Sequence, residues 1–196
     1  MYFKKLQIII LACLPTGWLH AQNNTGIFNI TISSIHHLHY ATEEYKKEFN
    51  NSGLISAEDD ISEDFSMAFG LENITGFFIT ENISAGAGFG YQGNTAPYFH
   101  TWPVYADLRG YMHFSEKESM YIYINGGSLI NFDNRYNNGL FFRLGFGGRR
   151  LVKNRFFLFF GLAVQSKQFD LTAFEDPSKT HHFSLRSTSV TFGIGF

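Results

Sequence analysis

Five histidines fall in two short clusters, His36-His37 with His39 near the front of the chain and His181-His182 near its end. Neutral imidazole is a common metal ligand, so if the two clusters met they would offer Zn, Cu or Ni several nitrogens without any thiolate. Side chains two apart on a strand share a face, which makes His37, His39 and one of His181 and His182 the candidate ligands. The reading that the sequence favours is plainer: solvated histidines at the bases of loops. His182-Phe183-Ser184 also places a base and a hydroxyl on one strand face. No acidic residue follows Asp176 to orient that histidine, so a catalytic role is not expected.

A second set of groups lies among residues of otherwise regular alternation. Glu72, Asp107, Arg109, Arg143 and Lys167 share their parity with Tyr105, Tyr111, Tyr121, Tyr123 and Asn125. Opposite charges enclosed together are expected to pair and form a structural network, with a gated or leaky conduit as the alternative.

The elements that would carry these groups follow from the patterning. The chain has 196 residues, of which 18% are aromatic and only 16% charged, with 23 Phe, 10 Tyr and 19 Gly. Ordinary soluble domains carry about a quarter charged residues, so this profile points to strands that face an apolar surroundings on one side. In Phe156, Leu158, Phe160, Leu162 and Val164 one parity is uniformly large and apolar. The other parity runs Phe157, Phe159, Gly161, Ala163, Gln165, Lys167. The stretches 83–92 and 104–113 show the same division. Glycine and uncharged polar groups on the second face suit a narrow lumen better than a solvent surface.

Strands are expected at about 26–40, 65–80, 83–92, 101–114, 120–130, 139–151, 155–169 and 183–196. The connections alternate in length. Those at 81–82, 115–119 and 152–154 are short, whereas 41–64, 93–100, 131–138 and 170–182 are longer. The fold class that follows is all-β: an eight-stranded antiparallel transmembrane up-and-down β-barrel with short periplasmic turns and longer external loops. In lipid every backbone group needs a partner, so the strands must close into a ring. The even count would put both termini in the periplasm, and the location expected is the cell outer membrane.

Residues 1–21 read as a signal peptide and 22–196 as the barrel domain. Lys4-Lys5 is followed by the apolar run Leu6 to Leu14, and Leu19-His20-Ala21 precedes a polar stretch. The competing reading is a lipoprotein signal with Ile10-Leu11-Ala12 before Cys13, but Leu11 is bulky for such a site. Cleavage after Ala21 would remove Cys13, the only cysteine. No disulfide or thiolate chemistry would then remain, no cofactor is implied, and nothing suggests nucleic acid.

The chain ends Val190-Thr191-Phe192-Gly193-Ile194-Gly195-Phe196. This resembles the C-terminal signal of bacterial outer-membrane barrels, with Phe192, Ile194 and Phe196 in the assembly-signal positions. Together with Gly76-Phe77-Phe78-Ile79-Thr80, the stretch from Ser84 to Tyr91, and that from Trp102 to Tyr111, the chain is similar to the small OmpA-like outer-membrane barrel family of Bacteroidota. The resemblance implies contact with outer-membrane lipids and lipopolysaccharide and recognition by the barrel-assembly machinery. It implies a structural or interaction role, as a solitary surface barrel or an accessory subunit of a larger envelope complex, and no enzymatic activity. His182-Phe183-Ser184 resembles the His-x-Ser arrangement of outer-membrane lipid A deacylases over three residues only.

Two further charge clusters complete the reading. Glu43, Glu44, Glu48, Glu58, Asp59, Asp60, Glu63 and Asp64 are expected in a solvated external loop, without the ordered spacing of a calcium site. Arg149, Arg150, Lys153 and Arg155 flank the last short turn, where they are expected to meet phospholipid headgroups.

Overall fold

The computed structural model describes residues 26–48, 54–60, 67–95, 98–131, 137–153, 156–172 and 180–196. The expected signal segment lies outside them. Nine strands form one antiparallel sheet: β1 (Ile27–Glu48), β2 (Leu54–Asp60), β3 (Met67–Thr80), β4 (Ile83–Thr95), β5 (Tyr98–His113), β6 (Glu118–Ile130), β7 (Gly139–Lys153), β8 (Phe156–Thr172) and β9 (Thr180–Gly195). Eight of them, β1 and β3 to β9, pair in sequence order, and β1 pairs again with β9. That second pairing closes the ring and leaves no edge around the barrel.

The alternation expected from the sequence is the alternation observed. On β5, Thr101, Pro103, Tyr105, Asp107, Arg109 and Tyr111 are buried inside while Val104, Leu108 and Met112 stand outside. On β8, Phe159, Gly161, Ala163, Gln165 and Lys167 point inward and Leu158, Phe160, Leu162 and Val164 outward. The outer surface is therefore a continuous apolar belt, the surface that a bilayer requires. At the end with the longer connections, Trp102 stacks on Phe89 at 5.6 Å and meets Tyr91 edge-on at 5.2 Å. The Tyr91 hydroxyl bonds His100 Nδ1 at 2.6 Å, which gives the belt an aromatic rim with polar tips.

Eight strands enclose an interior only wide enough for side chains, so large inward groups need small ones opposite. Tyr105 on β5 faces Gly88 on β4, and Tyr123 on β6 faces Gly145 on β7. A Cβ at either glycine would overlap the tyrosine ring.

The strands run further than expected at the end with the longer connections. The stretch 93–100, expected as a loop, continues the β4–β5 ladder: Gly93 pairs His100, Asn94 pairs Phe99 and Thr95 pairs Tyr98. Likewise β1 does not stop near residue 40. It skips His39 at a bulge between Leu38 and Tyr40, continues against β9, and pairs Thr42–Glu48 with β2. Much of the acidic segment expected as a loop is thus hairpin. The bulge changes the inward parity from the even residues up to Leu38 to the odd Ala41, which is buried. A period-two reading that stops at the break in alternation misses the strand beyond it.

Candidate functional site

The lumen is filled in layers. At the short-turn end, Phe28, Phe78, Tyr111, Tyr121 and Phe159 form a chain of ring contacts with centroids 5.2 to 6.2 Å apart. Above it, Asp107 on β5 accepts Arg109 Nε at 2.8 Å and Nη2 at 3.1 Å, and Asn125 Nδ2 of β6 at 2.6 Å. The Arg109 guanidinium also lies over Tyr121 and Tyr123, 5.4 and 5.3 Å from their centroids. This pair runs along one strand; the expected pairing across the lumen is made elsewhere.

Glu72 on β3 makes the crossing. Arg143 on β7 donates Nη1 to Oε2 at 2.9 Å and Nη2 to Oε1 at 2.6 Å. Gln92 Nε2 donates to Oε1 at 2.8 Å, and the Tyr105 hydroxyl donates to Oε2. Arg143 Nε also reaches Gln165 Oε1 at 3.2 Å, and Gln165 Nε2 returns to Gln92 Oε1 at 3.3 Å. Four strands thus meet at one carboxylate, and Gln165 joins β8 to them through Arg143 and Gln92. A buried ion pair is held only when its remaining hydrogen-bonding capacity is met, and here every named donor has an acceptor. Geometrically, the arrangement spans the lumen from β3 to β7.

Lys167 departs from the expected pairing. It is buried, its ammonium donates to Thr101 Oγ1 at 3.4 Å, and it lies 5.8 Å from the Phe99 centroid. Among the described residues no carboxylate forms an ion pair with it. Beyond it Phe99 packs on Phe169 at 5.3 Å and Phe169 stacks on Phe183 at 5.7 Å, closing the other end.

The two histidine clusters do not meet in the way the metal-site alternative required. Because β1 continues to Glu48, the β1–β9 register sets His37 opposite Thr188 but His181 opposite Tyr45 and His182 opposite Glu44. The two clusters lie at different heights along the seam. His37 and His39 do meet, with Nδ1 atoms 3.2 Å apart, and His39 Nε2 contacts Thr188 Oγ1 at 2.6 Å. His182 Nδ1 instead pairs with Asp170 Oδ1 of β8 at 2.7 Å. No group of three His, Cys, Asp or Glu suited to a metal occurs among the described residues. Asp170 is the acid that the sequence did not supply to His182, yet no hydrogen bond joins His182 to Ser184.

One basic cluster is also divided. Arg149 is not at the membrane surface: it faces inward, buried, donating to Ser119 Oγ at 2.7 Å with its guanidinium 4.6 Å from the Tyr111 and Phe157 centroids. Its odd parity on β7, shared with Arg143, carries it inside. Arg150 is outside and exposed, 3.4 Å from Glu118.

No family model matches the chain, and no curated protein matches it. Solved structures do. The chain is similar to Neisserial surface protein A at 13% identity, with 87% of this chain and 97% of that one covered and a TM-score of 0.54. It is also similar to the outer membrane protein OprG from Pseudomonas aeruginosa, at 9% identity, 89% and 98% coverage, and a TM-score of 0.54. The likeness is one of fold. This is the architecture of a small membrane barrel.

Within that barrel, alternation had already put Gln92 and Gln165 on the inward face, but sequence reasoning missed them as partners of Glu72 and Arg143. It missed His36 as a lumen group, although its even parity on β1, shared with Phe28, Ile30 and Ile32, carries it inside. It also missed a polar group on the outer face. Asn29 and Asn73 exchange amide hydrogen bonds of 2.9 Å in both directions, and donate further to Thr75 Oγ1 at 2.8 Å and Thr31 Oγ1 at 3.1 Å.

Proposed function

We propose that this chain is an outer-membrane barrel whose role is structural or interactive and not catalytic, exercised through its ends and outer surface while its lumen stays shut. The observation that carries this reading is the cross-lumen junction of Glu72, Arg143, Gln92 and Gln165, lying between aromatic layers at both ends. The apolar belt and the descriptions of the two structural relatives as outer-membrane and surface proteins support the location. Both ends of the described chain, at Gly26 and Phe196, lie at the short-turn end, which in this reading is the periplasmic one.

Outer-membrane lipids and lipopolysaccharide are then the surroundings of the belt. The barrel-assembly machinery is the partner during insertion, reading the outward Phe192 and Ile194 and the terminal Phe196. Whether the mature barrel stands alone or serves a larger envelope complex is decided by gentle detergent extraction of the tagged protein: stable stoichiometric partners assign it to a complex. Planar-bilayer recording tests the shut lumen. Purified wild-type barrel is expected to give no stepwise conductance, and regular single-channel steps would overturn the reading.

A further inference from the structure

Beyond the Glu72–Arg143 junction, toward the longer connections, the lumen holds a small chamber whose polar lining is His36, Asn94, Gln165, Lys167 and Ser187, the rest of its wall being aliphatic. Its volume is about 10 Å³, room for a single water-sized guest. Gln165, which bonds Arg143, lines it on the side of the junction, and Lys167 beside it lies 5.8 Å from the Phe99 ring of the aromatic group beyond. We propose that this chamber is a binding site for one small monovalent anion of the halide class, chloride in the native setting.

Three observations converge on negative charge. Among the described buried residues facing the lumen, the bases Arg109, Arg143, Arg149 and Lys167 outnumber the acids Glu72 and Asp107. Glu72 is already committed to Arg143, Gln92 and Tyr105, and Asp107 to Arg109 and Asn125, so neither carboxylate serves Lys167. A buried ammonium without a counter-charge is costly, and an anion beside it removes that cost.

The donors around the chamber point the same way. Asn94 Nδ2 and His36 Nδ1 are buried and have no hydrogen-bond partner among the described residues. His36 Nε2 lies 2.8 Å from Ser34 Oγ. When the Ser34 hydroxyl donates to Nε2, the ring proton resides on Nδ1 and becomes a donor. Lys167 and Asn94, with the His36 ring and the Ser187 hydroxyl, then offer donors to one guest, and a chamber of about 10 Å³ favours a compact monatomic anion over sulfate or phosphate.

The test uses the purified, folded barrel in detergent. Crystals grown in sodium bromide should show an anomalous peak in contact with Lys167 Nζ and Asn94 Nδ2, and bromide should be displaced by chloride but not by sulfate. Thermal unfolding at constant ionic strength should rise in halide relative to sulfate, with that halide-specific gain lost in Lys167→Met. Halide affinity in Asn94→Leu should fall about tenfold or more, as for loss of a hydrogen bond to a charged partner. An empty chamber in bromide crystals, or the same halide response in wild type and Lys167→Met, overturns the proposal. If Lys167→Met does not fold, the bromide map of the wild type decides alone.

Discussion

Arg143 and Glu72 tie β7 to β3 through two parallel N–H···O contacts of 2.9 and 2.6 Å, although those strands share no ladder. Backbone pairing fixes each strand only to its neighbours. This pair fixes the ring across its diameter, and Gln92, Gln165 and Tyr105 spread the restraint over β4, β8 and β5. The barrel is therefore braced as well as closed.

The brace predicts a non-additive response. Arg143→Met strands the Glu72 carboxylate without its counter-charge, and the expected cost is about 3 to 5 kcal/mol. The double variant Glu72→Leu, Arg143→Met removes both charges and should be less destabilised than Arg143→Met alone. Urea unfolding of the refolded barrel, followed by the heat-modifiable shift on gels, measures both. Equal or greater loss in the double variant would show that the pair is not the brace.

A second expectation contrasts an inward glycine, Gly145, with an outward one, Gly126. Gly145 lies beneath the Tyr123 ring, so Gly145→Val must displace the ring or bend β7, at about 1 to 3 kcal/mol. Gly126 has open space where its Cβ would stand, and Gly126→Ala should leave the unfolding midpoint nearly unchanged. Similar midpoints for the two variants would contradict the packing described.

How much of this was legible beforehand depends on what each feature rests on. The inward position of Asp107, Arg109 and Lys167 rests on period-two alternation, a local property visible in sequence. The choice of partners does not: Asp107 takes Arg109 on its own strand, while Glu72 reaches a residue 71 positions away. That choice depends on strand stagger around the ring, which alternation leaves open. The histidine seam failed for the same reason. One bulged residue, His39, and the continuation of β1 to Glu48 moved His181 and His182 away from His37. Arg149 was a different kind of miss, since counting parity from Arg143 would have placed it inside.

The outer-face asparagines offer a third test. Asn29 and Asn73 lie in a belt that includes the exposed Ile27, Leu71 and Phe77, and they use their amide hydrogens on each other and on Thr75 and Thr31. Asn29→Leu leaves the Asn73 amide partly unsatisfied in an apolar setting, at about 1 to 3 kcal/mol. Asn29→Leu with Asn73→Leu replaces both amides by apolar groups and should recover part of that loss. Unfolding in lipid vesicles, where the belt is dehydrated, gives the comparison; no recovery in the double variant would mean that the asparagines serve something other than each other.

The last expectation separates two roles of Phe196. Its backbone closes the seam: Asn29 N–H donates to Phe196 O at 2.9 Å and Phe196 N–H donates to Asn29 O at 3.0 Å. Its ring meets Phe156 edge-on, with centroids 6.1 Å apart. Deleting Phe196 removes all three contacts and should lower both stability in vitro and the folded population in cells. Phe196→Leu keeps the backbone bonds and most of the apolar area, so the refolded variant should unfold within about 1.5 kcal/mol of wild type, as volume-conserving apolar swaps do. If the assembly machinery reads the aromatic ring, the same variant should still insert poorly in cells. Normal insertion of Phe196→Leu together with poor insertion of the deletion would assign the terminal residue to seam closure and remove it from the assembly signal.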